Sequence, residues 1–319
     1  MANRRLAVLA VALCALLLPA AAHSDRTAPR GAPFWVQTNG PQGGDGIAMA
    51  TAPNGHVFVG TQGGGVFRSM NGGDSWVAVN HGLTGTNVRA LAVKADGTIV
   101  AGTFSGAFRS TDDGDNWEAV NDGLEMPFVD ALAVNSDGDV FAGTFEGGGV
   151  YRLMNGSDTW EAVNDGLTNT YVTALTIKAD GTIFAATFGS GIFRSTNNGD
   201  HWDPVNTGLT TPEILSLTTN SAGGIFAGAD FSGGVFRSTD NGDHWSPVND
   251  GLGSPPGVNA LLATGGNLYA GTYGTGIFRS TDNGDHWSPA SDGLTTPFVL
   301  SFTTAGGHVL AGADRKSVV

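Results

Sequence analysis

The octapeptide STDNGDHW stands at residues 238 to 245 and again at 280 to 287. Two carboxylates, an imidazole and a glycine turn in so short a stretch could ligate a metal, serve as acid and base, or close a hairpin. A calcium loop needs oxygen ligands at alternating positions and a bidentate acid at the twelfth, where these segments continue into an apolar strand. A shared ion would require His201, His244 and His286 to converge, yet they recur about 42 residues apart and read as surface groups. Neither a metal nor a cofactor is expected.

The pattern Ser/Thr-x-Asp-x-Gly-x-x-Trp, exact or varied, in fact stands at six places. The further copies are SMNGGDSW (69–76), STDDGDNW (110–117), LMNGSDTW (153–160) and STNNGDHW (195–202). Asn71, Asn155 and Asn197 stand where the other copies carry Asp. A catalytic or ligating carboxylate does not tolerate that exchange, whereas a side chain that caps its own turn does. The motif therefore reads as a hairpin staple, with Asp or Asn bonding the backbone ahead, Gly turning the chain and Trp packing beneath.

The elements around the motif repeat with it. All seven tryptophans, Trp35, Trp76, Trp117, Trp160, Trp202, Trp245 and Trp287, fall 41 to 43 residues apart. Within each unit, runs such as VNALLAT, NLYAGTY, GIFRS and HWSPV are separated by Gly, Asn, Asp or Pro, which predicts four short strands per unit and no helix. Such a period predicts an all-β, seven-bladed β-propeller of four-stranded blades. Six complete blades are expected from about residue 46 to 290, and FVLSFTTAGGHVLAGAD supplies two strands of a seventh. The strand at Trp35 would complete that seventh blade from the other chain end. Its third strand has no counterpart, because the chain continues RKSVV, so the last blade is expected to be incomplete.

The repeated octapeptide resembles the Asp-box, or bacterial neuraminidase repeat, over roughly residues 33 to 313. The resemblance implies a propeller with Asp-box hairpins, as in sialidases, two-propeller xyloglucanases, sortilin-type receptors and photosystem II assembly factors. The register VTALTIKADGTIFAATFGSGIFRS also looks like propeller repeats of periplasmic sensor domains. Enzymes, receptors and assembly factors all carry such repeats, so fold alone does not select a function.

Residues 1–22 read as a signal peptide, with a basic start, the apolar run 6–18 and a small-residue cleavage site before His23. Residues 23–32 read as a linker, 33–313 as the propeller and 314–319 as an aberrant or truncated tail. The only cysteine, Cys14, lies in the apolar run, so the mature chain would have no disulfide. Export places the protein in the periplasm or outside the cell, without an integral membrane segment once the leader is removed, and as a monomer. Fifty glycines fit many tight turns, and 15 Lys and Arg against 29 Asp and Glu exclude nucleic acid as a partner.

A sialidase needs three arginines converging on a carboxylate. Arg68, Arg109, Arg152, Arg194, Arg237 and Arg279 instead share one position in the third strands, and residues repeated in every blade cannot meet at one substrate. A xyloglucanase-like inverting pair of carboxylates comes from two facing propellers, and one is present here. No catalytic residue is assigned. Recognition is expected on the face formed by the loops entering the innermost strands and the loops joining strands two and three, where the repeats disagree. At the inner-strand entry they diverge into Arg89, Asp130, Tyr171, Glu213 and Asn259. In the second loop they diverge into Gln62, Glu146, Asp230 and Tyr273, with Phe104, Phe145, Phe188 and Phe231 nearby. The ligand-binding set is therefore Arg89, Asp130, Glu146, Tyr171, Glu213, Asp230, Asn259 and Tyr273. Aromatic surface among carboxylates and amides suits a glycan or a protein segment, and makes a non-catalytic binding or scaffolding module the leading reading. A sialidase-like or other glycoside hydrolase is the alternative.

Overall fold

The second strand of each unit, such as VFAGT or IFAAT, is apolar on both faces, so it needs cover on both sides. In the computed structural model, residues 16–19, 35–38, 40, 45–145, 147–230 and 233–313 are described, with the backbone alone for 16–19 and 45. They form β-strands and turns without a helix, arranged as seven four-stranded antiparallel sheets. Six of these are blades, each cut from one continuous stretch: 45–78, 88–119, 129–162, 172–204, 214–247 and 258–289, numbered here 1 to 6. In blade 2 the order from the inside outward is Val88–Val93, Ile99–Thr103, Gly106–Ser110 and Glu118–Ala119.

The expectation of seven like blades, the last incomplete, is corrected to six. The remaining sheet is composite and has all four strands. Val299–Ala305 and His308–Ala313 are joined by Leu16–Pro19 in the third place and Val36–Gln37 at the outside. Leu16 pairs with Ala311 and Pro19 with His308, so the hydrogen-bonding edge of the second strand is covered by an apolar run that the sequence reading had assigned to a leader. The rest of the expected leader and linker, and the tail 314–319, lie outside the described residues.

The hydrophobic core sits between blades rather than within them. One cluster joins Phe58, Val66, Val79 and Leu83 of blade 1 and its trailing loop to Val88, Ile99, Phe108 and Trp117 of blade 2. Another joins Phe226, Val235 and Val248 to Val258, Leu268, Phe278 and Trp287. Tryptophans stitch the joints: the indole Nε1 of Trp117, Trp202 and Trp245 donates to the carbonyls of Val79, Val163 and Val205 in the preceding blade, at 2.8 Å each. Trp35 does the same to Ala290 from the composite sheet. Trp76 breaks the series, since its Nε1 is buried with no partner among the described residues.

The octapeptide is a staple twice over. Within its own turn, Ser110 Oγ donates to Asp112 Oδ1 (2.9 Å), Gly114 N donates to Ser110 Oγ (2.9 Å) and Asn116 N to Asp112 Oδ1 (2.8 Å). Asn197 accepts from His201 N in the same way at 3.0 Å, and Asn71 from Ser75 N at 3.0 Å. Asn155 departs from this pattern. Leu153 replaces the serine, and the turn is propped from outside by Asp139 Oδ1, which accepts from Asn155 N at 2.9 Å. The fourth position, Asp113, Asn198, Asn241 or Asn283, takes a left-handed φ of 58° to 63°, which Asp and Asn tolerate better than other side chains.

That fourth position is also where neighbouring blades lock. Arg194 Nη1 donates to Asn241 O (2.7 Å) and reaches Asp243 Oδ1 (2.6 Å) on the next blade. Arg152 and Arg237 repeat the contact with Asn198 and Asp200, and with Asn283 and Asp285. The first hairpin adds a second link, from Lys178 Nζ to Asn241 Oδ1 at 2.7 Å and from Asn220 Nδ2 to Asn283 Oδ1 at 2.6 Å. The repeated arginines are thus joints between blades. Arg279 of blade 6 turns back to Asn267.

The carboxyls of Asp240 and Asp282 are lowered to about 2, first by the backbone N–H donated from His244 and His286 and then by those imidazoles. A carboxyl depressed in the folded state stabilises it above the unfolded value near 4, and that contribution is lost as pH falls from about 4 toward 2. Carboxyl-carbon NMR titration is expected to place both midpoints near 2; midpoints near 4 would contradict the capping geometry. Asp240→Asn is expected to leave the urea midpoint almost unchanged, because Asn keeps the acceptor oxygen, as Asn197 does.

Candidate ligand-binding face

Strands alternate in direction, so the first hairpin and the octapeptide turn share one face of the ring. The loops between strands two and three, and those entering the innermost strands, share the other. On that second face the expected site residues fall into two layers. The first layer is set by a bulge: every innermost strand slips register at the same place, between Val88 and Ala90, Val129 and Ala131, or Val258 and Ala260. A bulge re-aims the extra residue. Arg89, Asp130 and Asn259 are such residues, and their counterparts are Ile47, Thr173, Leu215 and Leu300.

Arg89 Nε donates to Asp130 Oδ1 at 2.7 Å across a blade joint, with the side chains 28% and 13% exposed. The guanidinium also lies 5.8 Å from the ring centre of Phe104. Arg89 is therefore paired and stacked rather than poised for an anion. Thr173 Oγ1 donates to Ile214 O at 2.6 Å, which ties the same layer between blades 4 and 5. Asn259 Nδ2 is buried without a partner among the described residues.

The second layer is a rim formed where the end of one blade's second strand meets the entry of the next blade. Phe104 meets Phe128 edge to face, with centroids 5.5 Å apart and planes at 87°. Phe145 meets Tyr171 at 5.4 Å and 89°. Tyr273 meets Phe298 at 4.9 Å and 67°, and Tyr273 is 50% exposed. Between these, Gln62 bridges Asn87 and Phe188 bridges Glu213 through the backbone. Glu213 Oε2 accepts from Thr211 Oγ1 at 2.6 Å, and Asp230 N donates to Glu213 O at 3.0 Å.

Tyr171, Glu213, Asp230 and Tyr273 thus lie in the rim and Arg89, Asp130 and Asn259 in the bulge layer beneath it, while Glu146 and Phe231 lie outside the described residues. The sequence reading placed these two layers in one list and missed Phe128, Phe298 and Asn87. The signal was present: each stands immediately before the buried β-branched residue, Val129, Val299 or Val88, that anchors the inner strand. Among the described residues no group of three or more His, Cys, Asp or Glu is arranged to hold a metal ion, and no helix is long and apolar enough to cross a membrane.

No protein-family model matches the sequence, and no curated protein matches it. Solved structures share the fold. The extracellular domain of the putative hybrid two component system BT3049 from B. thetaiotaomicron aligns with TM-score 0.71 at 17% identity, over 86% of this chain and 38% of that one. YCF48 bound to D1 peptide aligns with TM-score 0.67 at 15% identity, over 86% of this chain and 92% of that one. The GH74 enzyme of Niastella koreensis aligns with TM-score 0.59 at 19% identity, over 84% and 43%. The chain spans about two fifths of the length of the extracellular domains it matches. At such identities the likeness shows the fold, a β-propeller of four-stranded blades.

Proposed function

We propose that this chain is an exported Asp-box propeller, secreted or periplasmic, that binds a protein segment or glycan across the rim and does no chemistry on it. The observation that carries the reading is the run of adjacent joints Phe104–Phe128, Phe145–Tyr171 and Phe188–Glu213. The opposite face is spent on inter-blade locks, whereas the rim offers half-buried aromatic surface with polar groups at its margin, the composition of a recognition site. An extracellular domain and a propeller holding a peptide among the fold's solved relatives support the reading.

The test is a peptide and glycan array on the purified chain, followed by titration of the best ligand. Phe145→Ala and Tyr171→Ala are expected to weaken binding about tenfold each, and His244→Ala, on the opposite face, to leave it unchanged. Release of product from a sialoside or xyloglucan, abolished by Glu213→Gln, would overturn the non-catalytic reading.

A further inference from the structure

The rim is asymmetric in charge. Among the described lysines and arginines, Lys94 and Lys178 reach the octapeptide turn of the next blade. The third-strand arginines are held by carboxylates of their own or the next blade, or by Asn267. Arg89 alone stands on the rim face, and Asp130 neutralises it. Glu125, Glu213 and Asp230 share that face, on a chain of net charge -14. At the joint into blade 5, Glu213 pairs through the backbone with Phe188 on one side and accepts from Asp230 N on the other, so an aromatic and two acidic residues stand side by side there. Beside it lies a cavity of about 220 Å³ lined by Asn206, Leu209, Thr211 and Pro212 among others.

From the meeting of Phe188, Glu213 and Asp230 we propose that the rim selects a cationic, extended peptide segment, with a Lys or Arg side chain seated at the joint between blades 4 and 5. The inference rests on the rim being the binding face. An aromatic ring next to acidic residues attracts an ammonium or guanidinium group through both its π-face and their charges. Among the described residues, an anionic ligand would meet no cation on this face other than Arg89, which Asp130 pairs. A peptide fits better than a sugar polymer because the rim aromatics meet at 67° to 89°, which makes notches for separate side chains rather than one flat stacking platform. The loop backbone is already engaged, with Gly189 N and Gly191 N both donating to Pro212 O, so affinity must come from side chains rather than strand addition.

The experiment is calorimetric titration of the whole chain with octapeptides of alternating Gly and Lys, Gly and Arg, Gly and acetyl-lysine, and Gly and Glu, together with a chito-oligosaccharide. The Lys and Arg peptides are expected to bind about tenfold or more tightly than the acetylated and acidic ones, with affinity falling as salt is raised. Glu213→Gln and Asp230→Asn are each expected to weaken the Lys peptide about fivefold while the thermal midpoint stays unchanged. Equal binding of the acetylated peptide, or wild-type affinity in both variants, overturns the proposal. Binding of the chito-oligosaccharide in place of the Lys peptide overturns the choice of a peptide. If a neutral probe binds and Phe145→Ala abolishes it, the rim stands as the binding face and the cation inference alone fails; if Phe145→Ala has no effect on any bound probe, both fail.

Discussion

Gly208→Ala is expected to destabilise the protein by about 3 kcal/mol, the sum of a left-handed backbone cost and a steric clash. Gly208 has φ +92°, and an added Cβ would lie 2.0 Å from the carbonyl oxygen of Trp245 on the next blade. Neither atom can swing away, because the oxygen is main chain and the backbone fixes where a Cβ must lie, and Trp245 N already donates to Thr207 O at 2.8 Å. Gly181 provides the comparison: its φ is +86°, yet nothing lies within 4 Å of the added carbon. Gly181→Ala should therefore cost only the conformational share, about 1 kcal/mol. Urea denaturation of the two variants separates the terms, and equal losses would show that the loop at Gly208 is not pinned between blades.

Trp202→Ala is expected to cost about 4 kcal/mol, in the range of large aromatic truncations in cores. Trp202 is 1% exposed, packs with Phe141, Val163 and Phe193, and bonds Val163 O through its indole. Trp202→Phe isolates the hydrogen bond, because it leaves the Val163 carbonyl unsatisfied while keeping a ring, and should cost about 1 to 3 kcal/mol. Trp76→Phe should cost less than Trp202→Phe, since the Trp76 indole has no acceptor to lose among the described residues. If thermal or urea unfolding ranks these two phenylalanine variants the other way, the stitching role of the indole nitrogens is wrong.

The tryptophan spacing and the four apolar runs per unit were enough to read the blade architecture, because one repeat cannot cover its own faces and must find a neighbour. They could not show what fills the third place of the composite sheet, since Leu16–Pro19 belongs to no unit and carries no repeat signature. The octapeptide was legible as a turn, but its part in joining blades was not. Nothing near Arg194 in sequence shows that it reaches Asp243, 49 residues on. Asn155 stands in the Asp place of its repeat, and the missing serine at Leu153 is what changes its partners. The candidate face was visible as a region of disagreement among repeats, and Arg89, Asp130 and Tyr171 do lie there. Its two layers were hidden because a bulge shifts register by one residue, and only the pairing of Val88 with Thr103 and of Ala90 with Gly102 reveals it.

The locks between blades have a direction. Arg152, Arg194 and Arg237 each reach forward along the chain to the octapeptide turn of the next blade, and Lys94, Lys178 and Asn220 do likewise. The tryptophans reach backward from that same later repeat. Each blade is therefore clasped by its successor, because the turn that receives its arginine and the indole that bonds its backbone both belong to the repeat that follows. Damage to one repeat accordingly reaches past its own strands, since the blade before it loses both of its fastenings at once.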